Sequence, residues 1–399
     1  MKLRLLQLVV SLAILALVIW ELIAINRNFT QNGGAPNSRN TVAQVPLAPG
    51  TWRFIVSGDS RNCGDIVMPA IAAHSARYSP NFYWHLGDLR AIYKIDEDME
   101  AAAARKQQTL TCDAYERRTW PDFIEHQIAA FGATPFYVGI GNHELIPPKN
   151  EELFTAQFRE WLKSPVLDAQ RRKDKESGPL DPRAYYHWIE GGVDFIYLDN
   201  ASNSFSQPEL DWFDARLSDD RANNDVRMLV AGMHEALPDS IASDHSMCDH
   251  PDPAGCASGR HVYDALLKFQ AEKPVYVLAS HSHFYMKGIF DNHAADQRLP
   301  GWIVGTGGAE RYALPKNATP GAKTDVYGYM LATVAADRRS INFDFKQIQQ
   351  SDIPSAVLDQ YPSSAVAWCF AHNSRNIDPN IEETSHRCPP PPPVTPPAH

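Results

Sequence analysis

The sequence predicts an α/β fold with mainly parallel strand pairing, and three observations predict it. Short apolar runs alternate with longer stretches of helical periodicity through the middle of the chain, and such alternation favours parallel strands joined by crossover helices. Many of the apolar runs stop at a polar turn rich in Asp, Asn or His, the place where α/β sheets gather ligands. The composition is that of a packed protein, with 44% hydrophobic and 21% charged residues among 399, which excludes wholesale disorder.

Taken in order, a strand is expected at residues 53–56, ending at Ser57-Gly58-Asp59, and a helix at 66–78. A second strand at 81–86 ends at Gly87-Asp88, and helices follow at 97–108 and 120–131. The third strand, 136–139, runs into Gly141-Asn142-His143-Glu144, and 151–163 reads as a helix. Strands at 185–189 and 193–198 precede an amphipathic helix at 207–217. The strand at 227–231 ends near His234; a helix at 259–272 leads to the strand 275–279 and Ser280-His281-Ser282-His283. Strands at 302–304, 329–334 and 341–345 close the pattern, and the shortage of helices there suggests added antiparallel strands.

The ends differ from the middle. Lys2 and Arg4 precede an apolar run over 5–20 that resumes at 22–25 after Glu21. An N-terminal hydrophobic helix is expected at 1–26, as a signal anchor or a cleaved signal peptide, with the basic flank directing the body out of the cytoplasm. Residues 27–50 read as a flexible linker, 51–350 as the main folded domain, and 351–399 as an extension ending in a Pro-rich disordered tail. A partner for that tail is a minor expectation. Six cysteines fit an oxidising compartment. Closeness in sequence favours Cys248–Cys256, Cys369–Cys388 and Cys63–Cys112. The formal charge of −10 argues against a nucleic-acid partner.

Asp59, Asp88, Asn142, His234, His281 and His283 each follow an apolar strand. Carboxylate, amide oxygen and imidazole suit Mn, Fe or Zn. Six ligands exceed one zinc's usual four, and a bridging carboxylate would let them hold two metals. The ordered blocks Gly58-Asp59-Ser60-Arg61, Gly87-Asp88-Leu89-Arg90, Gly141-Asn142-His143-Glu144, Met233-His234-Glu235 and Ser280-His281-Ser282-His283 resemble those of the calcineurin-like metallophosphoesterases, which include purple acid phosphatases. Leu198-Asp199-Asn200 and Val304-Gly305-Thr306-Gly307-Gly308 are similar to the family as well. The resemblance spans about residues 52–345.

The resemblance implies a two-sheet β-sandwich flanked by helices, and a phosphate-ester substrate attacked in line by a metal-bound hydroxide. By it, Asp88 bridges both metals, Asp59 and His283 serve the first, and Asn142, His234 and His281 serve the second. His143 then stabilises the transition state or protonates the leaving group. The first block departs from the family's Asp-x-His, because Arg61 fills the histidine slot. Purple acid phosphatases instead use a Tyr three residues after the bridging Asp, and Ala91 stands there, with Tyr93 two further on. The first metal is thus expected to be one protein ligand short, with water or Asn62 filling in. Arg61 is expected either to meet a phosphate oxygen or to pair with Asp65; Arg90 is a weaker candidate of the same kind. His245 and His250, with Asp244, Asp249 and Asp252, read as a disulfide-pinned loop bordering the pocket. A monoester is the first expectation, a phosphodiesterase or nuclease the second, and a non-catalytic exported scaffold the rival.

Overall fold

Apolar, β-branched and aromatic runs form the strands β1 (Trp52–Ser57), β2 (Tyr83–His85), β3 (Phe136–Val138), β4 (Tyr186–Glu190), β5 (Val193–Leu198), β6 (Met228–Met233), β7 (Val275–Ala279), β8 (Tyr285–Lys287), β9 (Gly301–Val304), β10 (Tyr327–Val334) and β11 (Ile341–Ile348). The structure is a computed structural model that describes residues 43–176, 181–242, 245–249, 252–381 and 387–388. The N-terminal hydrophobic segment and the polyproline run lie outside the described residues. The described chain from Gln44 onward is one unit.

Two sheets form. The first has the order β11-β10-β1-β2-β3, the second β4-β5-β6-β7-β9-β8. β1, β2 and β3 are mutually parallel, whereas β10 and β11 add antiparallel strands. In the second sheet β5, β6, β7 and β9 run parallel, and β4 and β8 cap the edges antiparallel. Continuous burial along β5 and β6 is what a parallel sheet covered on both faces requires.

Aromatic rings join the sheets face to face. Phe54 and Phe82 meet Phe195 at 5.0 and 5.1 Å between centroids, and Trp84 meets Trp188 at 5.3 Å. Each such edge-to-face pair contributes about 0.5–1.5 kcal/mol beyond its buried area. The helix Gly64–Ser75 packs its Ile66, Val67 and Ile71 into this same core. The helices Gln207–Ala222 and Pro253–Gln270 cover the second sheet's other face through Leu210, Phe213, Leu217, Val262, Leu266 and Phe269. The layers are therefore those of a two-sheet sandwich flanked by helices.

Several elements go beyond the sequence reading. The helix Pro165–Lys173 begins at a Ser164 cap followed by proline, a start signal that its polar composition masked. The short strand Tyr285–Lys287 and the helices Ser355–Leu358 and Ser363–Ala371 were not expected. The last of these buries Val366 and Cys369 against the core.

Cys248–Cys256 forms as expected, but two pairings are corrected. Cys63 bonds to Cys369, and Cys112 to Cys388, across sequence separations of 306 and 276 residues. Proximity in sequence fails as a guide because the fold brings Cys369 and Cys388 back to the starts of the helices Gly64–Ser75 and Cys112–Phe123. No cysteine is free, and three disulfides mark an oxidising compartment. Removing the longest link with Cys63→Ala/Cys369→Ala should lower the unfolding free energy by about 2–4 kcal/mol, measured by denaturant titration.

Candidate metal centre

All six metal-ligand candidates sit just past the carboxyl ends of parallel strands: Asp59 after β1, Asp88 after β2, Asn142 after β3, His234 after β6, and His281 and His283 after β7. The two sheets therefore aim their strand ends at one place. The turns that achieve this are tight. Asp59, Asp88 and His281 have φ of 56°, 59° and 62°, left-handed values that a non-glycine residue adopts at a cost. Gly141 is required by close approach, because a Cβ there would lie 2.3 Å from Asp88 Oδ1.

The groups meet at short range. His234 Nε2 lies 3.0 Å from Asn142 Oδ1, 3.1 Å from His281 Nδ1 and 3.2 Å from Asp88 Oδ1. His283 Nε2 lies 3.2 Å from Asp59 Oδ1. Asp88, His234 and His281 form one set, and Asp59, Asp88 and His283 another, with ligand atoms in each within 4.8 Å of one another. Asp88 belongs to both.

Outer hydrogen bonds fix the histidine tautomers. His234 Nδ1 donates to the Leu86 carbonyl at 3.0 Å, with Ser280 Oγ at 3.1 Å beside it. His283 Nδ1 donates to the Glu310 carbonyl. Each therefore turns a bare Nε2 toward a carboxylate. Burial pushes Asp59 above the usual carboxylate range. Burial, followed by His234, holds His281 well below the usual imidazole value. Burial and then Arg61 do the same to His283.

Acceptor atoms are thus crowded together at the centre. Asp59 Oδ1 and Asp88 Oδ2 are buried and accept no hydrogen bond. A buried anionic oxygen without a partner is costly, and cations placed among these donors would satisfy it. Carboxylate, amide and imidazole are ligands that borderline divalent and trivalent ions accept. The residues present thus fit a metal centre.

Glu144 braces the arrangement. Its buried carboxylate accepts from the backbone N–H of Asp88, Leu89 and Gly141 at 3.0, 3.0 and 2.9 Å, tying the second block to the third. His143 donates its backbone N–H to Asp88 Oδ1 at 3.1 Å and its Nδ1–H to the Ala91 carbonyl at 2.7 Å. Its Nε2 is left 3.6 Å from Asp88 Oδ2. Burial, then the Arg61 charge, pushes this imidazole down to about 3.

Arg61 does not pair with Asp65. It enters the centre, with Nη2 3.2 Å from His283 Nε2 and 3.1 Å from the Tyr312 hydroxyl, and Nε 3.9 Å from Asp88 Oδ2. That Nε is buried without a hydrogen-bond acceptor. Arg90 is placed elsewhere, in a buried knot with Asp65, Asp96, Asp98 and Asp122. Asp65, Asp122 and His126 also cluster within 4.8 Å, but the Arg90 guanidinium already occupies both carboxylates there. Asn62 is engaged too: its Nδ2 donates to Glu97 at 2.8 Å and its Oδ1 accepts from Glu310 N at 3.1 Å. It therefore does not complete the first set. The Tyr93 ring lies 5.4 Å from that of His143.

Sequence reasoning missed Tyr312, whose ring stacks on His283 at 3.9 Å, and left His245 as a loop residue. His245 stands 5.1 Å from the His281 ring and 5.2 Å from that of Tyr312. Asp249 is used within its loop by Ser246, and Asp252 caps the helix Pro253–Gln270. Asp244 and His250 lie outside the described residues.

With this geometry in hand, the sequence matches the calcineurin-like phosphoesterase family over residues 54–285. The chain belongs to that family, a class of metal-dependent phosphoester hydrolases. No curated protein sequence matches it. Among solved structures it is similar to the purple acid phosphatase PPD1 from yellow lupin (Lupinus luteus) seeds, at 16% identity and a TM-score of 0.51, covering 75% of this chain and 52% of that one. This chain thus spans about half the length of that phosphatase. It is also similar to PhoD, at 15% identity and a TM-score of 0.44, covering 76% of this chain and 69% of that one. A 5'-nucleotidase from Candida albicans SC5314 shows 13% identity and a TM-score of 0.35, covering 84% of this chain and 58% of its own.

Proposed function

We propose that the chain is an exported phosphoesterase with a two-metal site, hydrolysing a phosphate monoester first and a diester second. The observation that carries this reading is the set of buried, unpartnered polar atoms around one point: Asp59 Oδ1, Asp88 Oδ2 and Arg61 Nε. The two oxygens fit cations, and the guanidinium nitrogen fits an anionic oxygen. Asp59, Asp88 and His283 would hold the first ion, and Asp88, Asn142, His234 and His281 the second, with Mn, Fe or Zn as candidates. Bound there, such a pair supplies charge neutralisation at phosphorus and an acidified water.

The chain's own residues do the rest. Arg61 grips a phosphate oxygen, since its fork matches phosphate geometry. Asp59, Asp88, His143 and His283 are buried, so their charges act on the substrate with little solvent screening. His143 Nε2, 3.6 Å from Asp88 Oδ2 and outside both sets that share Asp88, serves the leaving-group side of the phosphorus in this reading. A dianionic ester beside it raises its proton affinity, and the proton it gains passes to the departing alkoxide. The N-terminal segment, residues 1–26, directs export and serves as anchor or signal peptide, with residues 27–50 as linker ahead of the catalytic domain and 351–399 as its extension.

The test is metal content per chain together with hydrolysis of p-nitrophenyl phosphate and of its bis-ester. Two ions per chain, with turnover lost to chelator and restored by Mn, Fe or Zn, is the expected result. No metal and no turnover after add-back would move the scaffold reading to the front. Arg61→Ala should keep the metals and raise KM about tenfold, the equivalent of one charge-assisted hydrogen bond.

A further inference from the structure

The loop that carries Glu310, Arg311 and Tyr312 is clasped by a segment from far along the chain. Arg311 donates its backbone N–H and its Nε to the Asn373 carbonyl at 3.1 and 2.8 Å, and Nη1 to the Phe370 carbonyl at 3.1 Å. Arg375 returns its own N–H to the Arg311 carbonyl at 3.0 Å. Asn373 Nδ2 reaches the Tyr327 hydroxyl at 2.8 Å and the Gly308 carbonyl at 3.3 Å. The Cys63–Cys369 disulfide pins the same segment two residues past Arg61. Asn373 and Ser374 are buried, so this is a packed joint and not a surface strap.

The joint ends in a relay that points at the centre. Arg375 Nε donates to Glu310 Oε1 at 2.8 Å, and its guanidinium carbon lies 4.2 Å from the Tyr312 ring centroid. Arg375 Nη2 is 3.4 Å from the Tyr312 hydroxyl. That hydroxyl accepts from Arg61 Nη2 at 3.1 Å, and the ring stacks on His283. A stacked guanidinium and a ring wedged against a histidine leave the Tyr312 oxygen little freedom. The oxygen in turn limits the rotamers open to Arg61, which lowers the entropy lost when that side chain grips an anion.

We propose that residues 369–375 are a working part of the site, in which Arg375 acts through Tyr312 to hold the Arg61 guanidinium in its phosphate-gripping pose. Tyr312 and Arg375 are positioning residues, and the proposal rests on the reading of Arg61 as the phosphate contact. It deepens that reading by making phosphate affinity depend on a segment outside residues 54–285.

The experiment uses the full, metal-loaded chain and two readouts: KM for p-nitrophenyl phosphate and the dissociation constant of inorganic phosphate. Tyr312→Phe keeps the ring on His283 and removes only the hydroxyl, so metal content and melting temperature should hold. Both constants should rise about fivefold in Tyr312→Phe and about threefold in Arg375→Ala, with kcat changed less than twofold, as expected for a lost anchor on a binding group. Arg375→Lys should recover little, since lysine lacks the planar stack. The double variant should be no weaker than Tyr312→Phe, because the two residues act in series. In an Arg61→Ala background neither substitution should shift the constants further. Unchanged constants in both single variants, or shifts that persist without Arg61, overturn the proposal alone. If Arg61→Ala itself leaves phosphate binding intact, the reading of Arg61 falls and this proposal with it.

Discussion

Asp88→Asn should lower kcat/KM at least about a thousandfold, because charge stabilisation worth several kcal/mol at the reacting phosphorus goes with it. The substitution is nearly isosteric and keeps a left-handed φ that asparagine tolerates. Folding should therefore survive, and the loss should read as chemistry. Metal analysis sharpens the result. Asp88 is common to both three-residue sets, so its neutral variant should lose occupancy of both ions together. Retention of full metal with near-normal turnover would remove Asp88 as the shared ligand. Loss of one ion only would assign it to a single set.

His143→Ala should keep both metals and reduce kcat about 10²- to 10⁴-fold, the range of general acid–base groups. His143 belongs to neither of the two sets that share Asp88, although its Nε2 stands 3.6 Å from Asp88 Oδ2. The leaving group gives the discriminating readout. A proton donor matters most when the departing alkoxide is strongly basic, so the loss should be small for p-nitrophenyl phosphate and large for an alkyl phosphate. In the ligand-free chain burial pushes His143 down to about 3, so it is neutral near pH 7. Its donor form must come with the bound anion. Turnover at saturating substrate should consequently fall as pH rises through the value set in the complex, and His143→Ala should flatten that limb. An equal loss for all leaving groups would make the residue an electrostatic contact and not an acid.

The metal candidates were legible in the sequence for a physical reason. Strand ends converge in an α/β fold, so polar residues that follow apolar runs at Asp59, Asp88, Asn142, His234, His281 and His283 land together whatever their separation. The strands themselves were legible because fully buried parallel strands are near-continuous apolar runs. What the sequence hid depends on tertiary packing. Whether Arg61 meets Asp65 or the centre is decided by Arg90, which claims Asp65 for itself. Asn62 looks like a spare ligand until Glu97 and the Glu310 amide are seen to take its side chain. Tyr312 and Arg375 carry no motif, because stacking on a neighbour imposes no spacing along the chain. The two long disulfides were misread for the same reason.

Those disulfides set an order of events during synthesis. Cys63 has to wait for a partner made 306 residues later, and Cys112 for one made 276 residues later. In the interval the nearest thiol in sequence for each is the other, and that mispairing would tie the starts of the helices Gly64–Ser75 and Cys112–Phe123 together. The block that carries Asp59 and Arg61 therefore emerges early but is fastened late. A growing chain reaching an oxidising compartment in this order has to keep Cys63 and Cys112 apart until Cys369 and Cys388 are made. The burial of Cys63, at 0% exposure in the finished fold, is completed by that late segment, whose Cys369 and Asn373 touch its sulfur.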